Sequence, residues 1–388
     1  MSQNLPHTLQ DLLAALIAMR SPSGQEATVA VWCEAFLQAH GFATRRQYLP
    51  DSAAERFNLL AEKGPPDQEQ PALLLYAHLD TVPPASDWAH DPFALQQVGD
   101  LLTGLGCSDM KGGLAVILQA AAEATPQDYV LKIALGVDEE AWSAGAWTLV
   151  QQESAWLKDV ALVLVPEITV DAEQITLGLG RRGCLQFELT LSGHSQHAAV
   201  AASSDLPGLP ELASQLMLSS RDYPFYQMQT GASEGLAWLG FSTQRLGLST
   251  PASCQLQLAY FSLPGHSSTV IAEELQAYFS AMVPGLVLQA VPRPTPNPQA
   301  YAVAPDQACV RWLQQCALQV LGHRLPTALG WSVADENILA ELQVPVLSLA
   351  PVGGRSHQAG EWVSLQSLQH LLQIYRQVLA EAGAKLLR

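Results

Sequence analysis

Four nearly uninterrupted apolar runs stand out along the chain. They cover residues 73–77, 129–137, 160–165 and 344–350. Because polar and apolar positions hardly alternate within them, these runs are typical of strands buried on both faces of an α/β sheet. The pattern therefore predicts a covered sheet, with a further strand near residues 57–61.

Between these runs, apolar residues recur three and four positions apart, which predicts amphipathic helices. The helical spacing covers residues 7–19, 28–40, 114–122, 306–321 and 364–382. Ser23 is expected to cap the second helix, with Glu26 as its reciprocal partner three positions later. The fold class predicted from both patterns is α/β, with a mixed sheet flanked by helices.

The middle of the chain follows a different pattern. Residues 185–191 and 254–258 alternate between apolar and polar positions, as half-exposed strands do, and residues 210–218 have helical spacing. We interpret this region as a smaller α/β sandwich inserted into the main domain. The predicted domains are residues 1–180 with 293–388, and residues 181–292, with a proline-rich return linker at 292–298.

Composition narrows the classes of function. The 388 residues carry a net charge of −17, with 48% hydrophobic and 14% charged residues. Such a chain is long enough for two domains, and its acidity argues against nucleic acid or an anionic membrane as a partner. The first residues show no basic leader pattern and the six cysteines are scattered, so we expect a cytoplasmic protein without a disulfide framework.

Several strand ends carry candidate chemistry. His78 and Asp80 follow the first apolar run, Asp138-Glu139-Glu140 the second, and Glu167 the third. Ligands bind beyond the carboxyl ends of strands in such sheets, and a carboxylate can orient a metal-binding imidazole. Crowded carboxylates are unfavourable without a positive charge among them. A histidine satisfied by local hydrogen bonds and a solvated acidic turn are the alternatives at this point.

A glycine-bracketed loop supplies another carboxylate. Asp109 lies between Gly106 and the pair Gly112-Gly113, just before the apolar helix. The glycines permit tight turns that can hold Asp109 at a helix amino terminus. An anion-binding loop with a capping aspartate is an equal alternative for this segment taken alone.

In their order along the chain, these segments resemble the co-catalytic zinc amidohydrolases. That family includes acetylornithine deacetylase, succinyl-diaminopimelate desuccinylase, aminoacylase and glutamate carboxypeptidase. The matching segments are Ser21-Pro22-Ser23-Gly24, His78-Leu79-Asp80-Thr81-Val82-Pro83, residues 104–113, Asp138-Glu139-Glu140, Pro166-Glu167, residues 193–197 and Ser356-His357-Gln358-Ala359-Gly360-Glu361.

The resemblance implies two divalent metal ions, with zinc expected first and cobalt or manganese as alternatives. His78 and Glu167 would hold one ion, Glu140 and His357 the other, and Asp109 would bridge them. Imidazole and carboxylate ligands suit zinc.

The same resemblance assigns three catalytic roles and an assembly. Asp80 would orient His78, and Glu139 would be the general base that passes a proton from water to the leaving amine. The inserted domain would be a lid that forms a homodimer, with His197 steadying the oxyanion in the partner's site. A cis peptide is expected after the bridging aspartate, at Asp109-Met110.

The lid departs from the family's pattern. Where the family has an asparagine and an arginine that grip a substrate carboxylate, this chain has Leu248 and Phe261. Arg245 or Arg221 could supply the cation from elsewhere. The predicted function is metal-dependent hydrolysis of an amide bond in an N-acyl amino acid, a small peptide or a related amide. The alternative is a family member without turnover that acts as a binding or scaffold protein.

Overall fold

The computed structural model describes residues 6, 8–50, 56–65, 70–168, 173–228, 232–244 and 247–386. The chain forms two compact units. The core unit consists of Met1–Arg181 and Ala302–Arg388, and the inserted unit of Arg182–Tyr301. The proline-rich segment 292–298 lies within the inserted unit.

The elements follow one another along the described residues as strands β1 to β17 and helices α1 to α11. The strands are β1 (Ala43–Tyr48), β2 (Phe57–Lys63), β3 (Ala72–His78), β4 (Gln96–Val98), β5 (Leu101–Thr103), β6 (Val130–Gly136), β7 (Val160–Val165), β8 (Thr176–Arg181), β9 (Gly183–Ser192), β10 (Gly235–Thr243), β11 (Ser253–Ser262), β12 (Val287–Ala290), β13 (Tyr301–Ala302), β14 (Thr327–Gly330), β15 (Val346–Ala350), β16 (Gly353–Gly354) and β17 (Trp362–Ser364). The helices are α1 (Leu9–Ala18), α2 (Ala27–Ala39), α3 (Lys111–Glu123), α4 (Ala144–Gln152), α5 (Ser154–Leu157), α6 (Ala198–Ala201), α7 (Leu209–Ser219), α8 (Ser268–Met282), α9 (Ala308–Leu321), α10 (Asp335–Leu339) and α11 (Leu365–Leu386). Within the described ranges, none of these helices combines the length and the apolar character that a membrane crossing requires.

The core unit is built on a mixed sheet with the strand order β1-β2-β6-β3-β7-β15-β8. Strand β3 lies parallel to both of its neighbours, β6 and β7, whereas β2 runs antiparallel to β6 and β8 runs antiparallel to β15. Every residue of β3 is buried. The predicted mixed α/β sheet is therefore confirmed, and the carboxyl ends of three adjacent parallel strands lie at one edge.

Helix α3 comes very close to this edge. A Cβ atom added to Gly113 would lie 2.0 Å from the carbonyl oxygen of Pro166, just beyond β7. Glycine is therefore required here, because any side chain would push the helix away from the strand end. This close approach brings the loop before α3, which carries Asp109, to the ends of the parallel strands.

The inserted unit contains an antiparallel sheet with the order β10-β11-β9-β12. One face packs on α7 and α8 through a core that includes Leu189, Leu256 and Phe279. The other face carries polar side chains, among them the exposed Gln255 and Gln257. This arrangement confirms the predicted α/β sandwich, although α8 was not predicted.

The local predictions fail at the start of α2. Ser23 does not cap this helix, because its hydroxyl donates to Asp80 Oδ2 at 2.7 Å. Glu26 instead accepts a hydrogen bond from the Gly24 amide at 2.8 Å and pairs with Arg56. Helix α2 therefore begins without a side-chain cap. The predicted capping box is wrong because both polar side chains have tertiary partners.

Candidate metal centre

The three parallel strands deliver most of the predicted ligands to one edge of the core sheet. His78 is the last residue of β3 and lies opposite Gly136, the last residue of β6. Glu139 and Glu140 follow β6 in the next turn, and Glu167 follows β7. Three separated segments thus place their polar side chains beyond the same sheet edge.

Asp109 lies between two imidazole rings. Its Oδ1 is 3.2 Å from His78 Nε2, and its Oδ2 is 3.3 Å from His357 Nε2. His357 Nε2 is also 2.9 Å from Glu140 Oε2. Ligand atoms of His78, Asp109 and Glu140 all lie within 4.8 Å of one another. The structure therefore brings together four of the five predicted ligands, with one oxygen of Asp109 facing each histidine.

The tautomer of His78 favours a cation at this point. Its Nδ1 donates to the backbone carbonyl of Asp80 at 3.0 Å, so the Nε2 that faces Asp109 either carries the second proton of an imidazolium or offers its lone pair to a metal ion. Two acceptors facing each other at this distance require a proton or a metal ion between them. The sequence prediction gave this orienting role to the Asp80 carboxylate, but the nearest carboxylate oxygen is 3.7 Å away. The backbone carbonyl is the closer partner.

The Asp80 carboxylate instead binds the backbone of the two glutamates that follow β6. Its two oxygens accept hydrogen bonds from the backbone amides of Glu139 and Glu140, each at 3.1 Å, and from Ser23. Burial opposes the charge on Asp80, yet the interactions with His78 and Ser23 lower the pKa of the carboxyl below its usual value. Asp80 therefore stays ionised and fixes the backbone of both glutamates.

Glu167 faces the same edge but has a cationic partner already. Arg181 Nη2 donates to Glu167 Oε1 at 2.8 Å and to Glu336 Oε1 at 2.8 Å, and Ser348 also donates to Glu336. Arg181 and Glu336 are fully buried. Sequence reasoning missed this ion network because nothing in the local sequence of Arg181 indicates its distant partners.

Glu361 is a second residue that was not assigned a role. Its carboxylate accepts hydrogen bonds from the amides of Gly106 at 2.7 Å, Ser108 at 2.8 Å and Asp109 at 2.9 Å. It thereby ties the Asp109 loop to the segment that carries His357. The peptide bond between Asp109 and Met110 is cis, as the family resemblance implied.

Asp335 completes the enclosed group of carboxylates. The hydroxyl of Tyr76 donates to it, and this contact is possible because residue 136 is glycine: an added Cβ would lie 1.9 Å from the hydroxyl oxygen. Burial raises the pKa of Asp335 to about 7.

The electrostatics of the cluster require positive charge. Burial raises the pKa of Glu139, Glu140 and Glu167 above the usual range, and the negative charges of neighbouring carboxylates add to this effect. Burial also opposes the charge on Asp109, but hydrogen bonds with His357 and His78 outweigh it and lower the pKa of that carboxyl. The pKa of His357 is raised to about 10 by Asp109 and Glu140.

Two oxygens of the predicted ligands have no donor in the described residues, and the same holds for Asp335 Oδ1 and Glu336 Oε2. Within the described part of the chain, neither Glu140 Oε1 nor Glu167 Oε2 has a hydrogen-bond donor, although both atoms are buried. Buried carboxylate oxygens without donors are costly unless a metal or proton satisfies them. The donor set of imidazole nitrogens and carboxylate oxygens fits divalent zinc. The residues present therefore fit the metal ions that the resemblance implies.

The remaining predicted site residues belong to the inserted unit. His197 is exposed and caps the start of α6, where its Nδ1 accepts a hydrogen bond from the Ala199 amide at 3.2 Å. Leu248 is 65% exposed, Phe261 is half-buried, and Arg221 is exposed. Arg245 lies outside the described residues.

The comparisons with known proteins cover nearly the whole chain. The model of peptidase family M20/M25/M40 matches residues 74–381. A succinyl-diaminopimelate desuccinylase of Methylobacterium sp. (strain 4-46) is 27% identical, over 97% of this chain and 96% of the relative.

Solved structures show the same fold. A tripeptidase from Staphylococcus aureus has a TM-score of 0.76 at 16% identity, covering 97% of this chain and 98% of that protein. A dinuclear metal-binding peptidase from Bacillus subtilis has a TM-score of 0.69 at 14% identity, covering 97% of this chain and 98% of that protein.

Proposed function

This chain belongs to peptidase family M20/M25/M40 and is a metal-dependent hydrolase of amide bonds in acyl amino acids or peptides; we propose that the cluster around Asp109 is its active site. The observation that carries this proposal is the placement of Asp109 between two imidazoles, beside two buried carboxylate oxygens without donors in the described residues. Such a set is unfavourable without cations and suits them well.

Five residues would hold the metal ions. His78 and Glu167 would hold one ion, Glu140 and His357 the other, and Asp109 would contact both. We propose zinc, with cobalt or manganese as alternatives, because the ligands are imidazoles and carboxylates without a thiolate. Divalent ions bound there would act as Lewis acids on the amide carbonyl and lower the pKa of water.

Glu139 is proposed as the general base. Asp80 fixes its backbone amide, and burial, together with the charge of neighbouring Glu167, raises the pKa of its carboxyl, which favours accepting a proton. A base with a raised pKa can take a proton from the attacking water and hold it for the leaving amine. Glu140, next in sequence, would act only as a ligand.

We further propose that the substrate carries a neutral or apolar group where the family's lid grips a carboxylate. The support is the presence of Leu248 and Phe261 at those positions. A buried carboxylate needs a cation, ideally an arginine. Weak activity is therefore expected on succinyl-diaminopimelate, the substrate in the relative's name, and also on acetylornithine and peptides ending in glutamate.

The inserted unit is proposed to form a homodimer, with His197 acting in the site of the partner. The support is the family resemblance and an antiparallel sheet whose edge strand β10 exposes Leu239 and Phe241. A cytoplasmic location is proposed because all six cysteines are free thiols, as expected in a reducing compartment.

The decisive experiment combines metal analysis with an amide-hydrolysis screen. Purified protein should contain up to two divalent ions and cleave amides, and a chelator should abolish cleavage until metal is restored. The screen should pair each free acid with its amide. Full activity without metal would contradict the proposed site. Bound metal without any turnover would favour the binding or scaffold alternative, and a strong preference for free acids would contradict the apolar subsite.

His197 needs its own experiment. Mixing His197→Ala protein with Glu139→Gln protein should restore part of the activity if the histidine works across a dimer interface. Verified heterodimers that show no recovery would count against this arrangement.

A further inference from the structure

The two predicted metal positions differ in the charge around them. His357 contacts both Glu140 and Asp109, and no arginine or lysine of the described residues forms an ion pair with Glu140. Glu167 accepts a hydrogen bond from Arg181 through Oε1, while its Oε2 has no donor in the described residues. Any ion at Glu167 must therefore share this carboxylate with a guanidinium.

Arg181 is held firmly in that place. Its Nε and Nη2 donate to Glu336 Oε1 at 2.9 and 2.8 Å, and its Nη2 also lies 3.2 Å from the carbonyl oxygen of Ile168. Because the side chain is buried, its charge is poorly screened by water. The guanidinium cannot leave when an ion arrives without breaking several hydrogen bonds.

Glu336 moderates this charge. It is buried, and it also accepts a hydrogen bond from Ser348 at 2.8 Å, which fixes the carboxylate against the guanidinium. The opposite charges of Arg181 and Glu336 partly cancel at a distance. The electrostatic potential at a cation near Glu167 therefore depends on the difference between the repulsion by Arg181 and the attraction by Glu336.

From this geometry we infer that Arg181 and Glu336 set the affinity of the Glu167 position for its metal ion, Arg181 by weakening it and Glu336 by strengthening it. Both are positioning residues for Glu167. The inference rests on the proposed function, because it takes Glu167 to be a metal ligand.

Opposite effects of two substitutions test this inference. Zinc or manganese is titrated into metal-free protein, and the dissociation constants are measured by calorimetry or chelator competition. Glu167→Ala identifies the binding event that needs Glu167, because that event should be lost. For this binding event, Arg181→Gln should raise the metal affinity and Glu336→Gln should lower it, each on the order of tenfold.

Control variants distinguish an electrostatic effect on metal affinity from a disturbance of the structure. Arg324→Gln and Glu341→Gln change exposed residues of the core unit and should leave both dissociation constants unchanged. The double variant Arg181→Gln/Glu336→Gln should return the affinity toward the wild-type value. If Arg181→Gln does not fold, the double variant is compared with Glu336→Gln: higher affinity in the double variant supports the inference, and equal or lower affinity overturns it.

The outcomes are distinct. Weaker binding in both single variants would mean that the network only orients Glu167, and unchanged affinity in both would mean that it has no influence; either result overturns the inference. Protein that binds no divalent ion would instead contradict the proposed function.

Discussion

Buried carboxylates occur in both units, but their surroundings differ. In the inserted unit, Glu234 accepts hydrogen bonds from the Tyr260 hydroxyl at 2.5 Å, the Leu263 amide at 2.9 Å and His266 Nδ1 at 3.0 Å. Both of its oxygens are satisfied by the protein. In the core unit, Glu140 and Glu167 each keep one buried oxygen without a donor in the described residues. Burial alone does not separate a structural carboxylate from a reactive one.

Glu361 shows that the two kinds of carboxylate differ in their hydrogen bonds and not in the unit to which they belong. It belongs to the core unit and lies beside Asp109, yet three backbone amides occupy its oxygens. By this criterion Glu361 resembles Glu234 more than it resembles Glu140. We therefore expect carboxylates with both oxygens satisfied to support folding or loop position, whereas the buried oxygens without donors belong to Glu140 and Glu167 and to the nearby Asp335 and Glu336.

The largest effect is expected from Glu139→Gln. Glutamine has nearly the same shape but cannot accept the proton, so turnover should fall by roughly 10²–10⁴-fold. Metal content, measured by elemental analysis, should stay at the wild-type level. If Glu139→Gln remains near wild-type while Glu140→Gln keeps both metals and loses turnover, the two roles are exchanged.

Next in size is Glu234→Ala in the inserted unit. This change removes three hydrogen bonds and leaves buried donors without an acceptor, which should lower the free energy of unfolding by roughly 3 kcal/mol or more. Urea denaturation measures this loss. Metal affinity should not change. Glu273→Ala, at an exposed position of α8, is the matched control and should have little effect.

Glu361→Gln should act on metal binding through the loop that carries Asp109. An amide in place of the carboxylate weakens charge-assisted hydrogen bonds, which contribute about 1.5–3 kcal/mol each. Affinity for divalent ions should drop on the order of tenfold, as measured by titration of metal-free protein. Unchanged affinity would show that the loop keeps its position without Glu361.

The smallest effect is expected from Tyr260→Phe. This variant removes one hydrogen bond to Glu234 and leaves the other two in place, so the loss in unfolding free energy should be about 1 kcal/mol. Tyr226→Phe is the control, since Tyr226 is 48% exposed. A loss as large as that of Glu234→Ala would mean that the hydrogen bond from Tyr260 accounts for the whole stabilising effect of the Glu234 carboxylate.

Local sequence patterns were sufficient for many elements of the core unit. The apolar run at residues 160–165 matches β7, and the helical spacing at 306–321 matches α9 to within two residues at its start. Buried strands and amphipathic helices each have a characteristic spacing of apolar residues, so a short stretch of sequence is enough to predict them. Strand β1 was missed, because its residues Ala43–Tyr48 are mostly polar and exposed and show no run of apolar residues.

The sequence by itself determined the chemical types at the site. Histidines and carboxylates at strand ends, with glycines around Asp109, predicted a cation-binding edge, and resemblance to a family ordered them into ligands and base. Only the tertiary structure decided which carboxylates are already satisfied. Arg181 and Glu336 are separated by 155 positions and Glu361 and Asp109 by 252, yet both pairs are in hydrogen-bond contact. Contacts over such separations depend on the packing of the whole unit, because no local pattern encodes which distant donor will meet which acceptor.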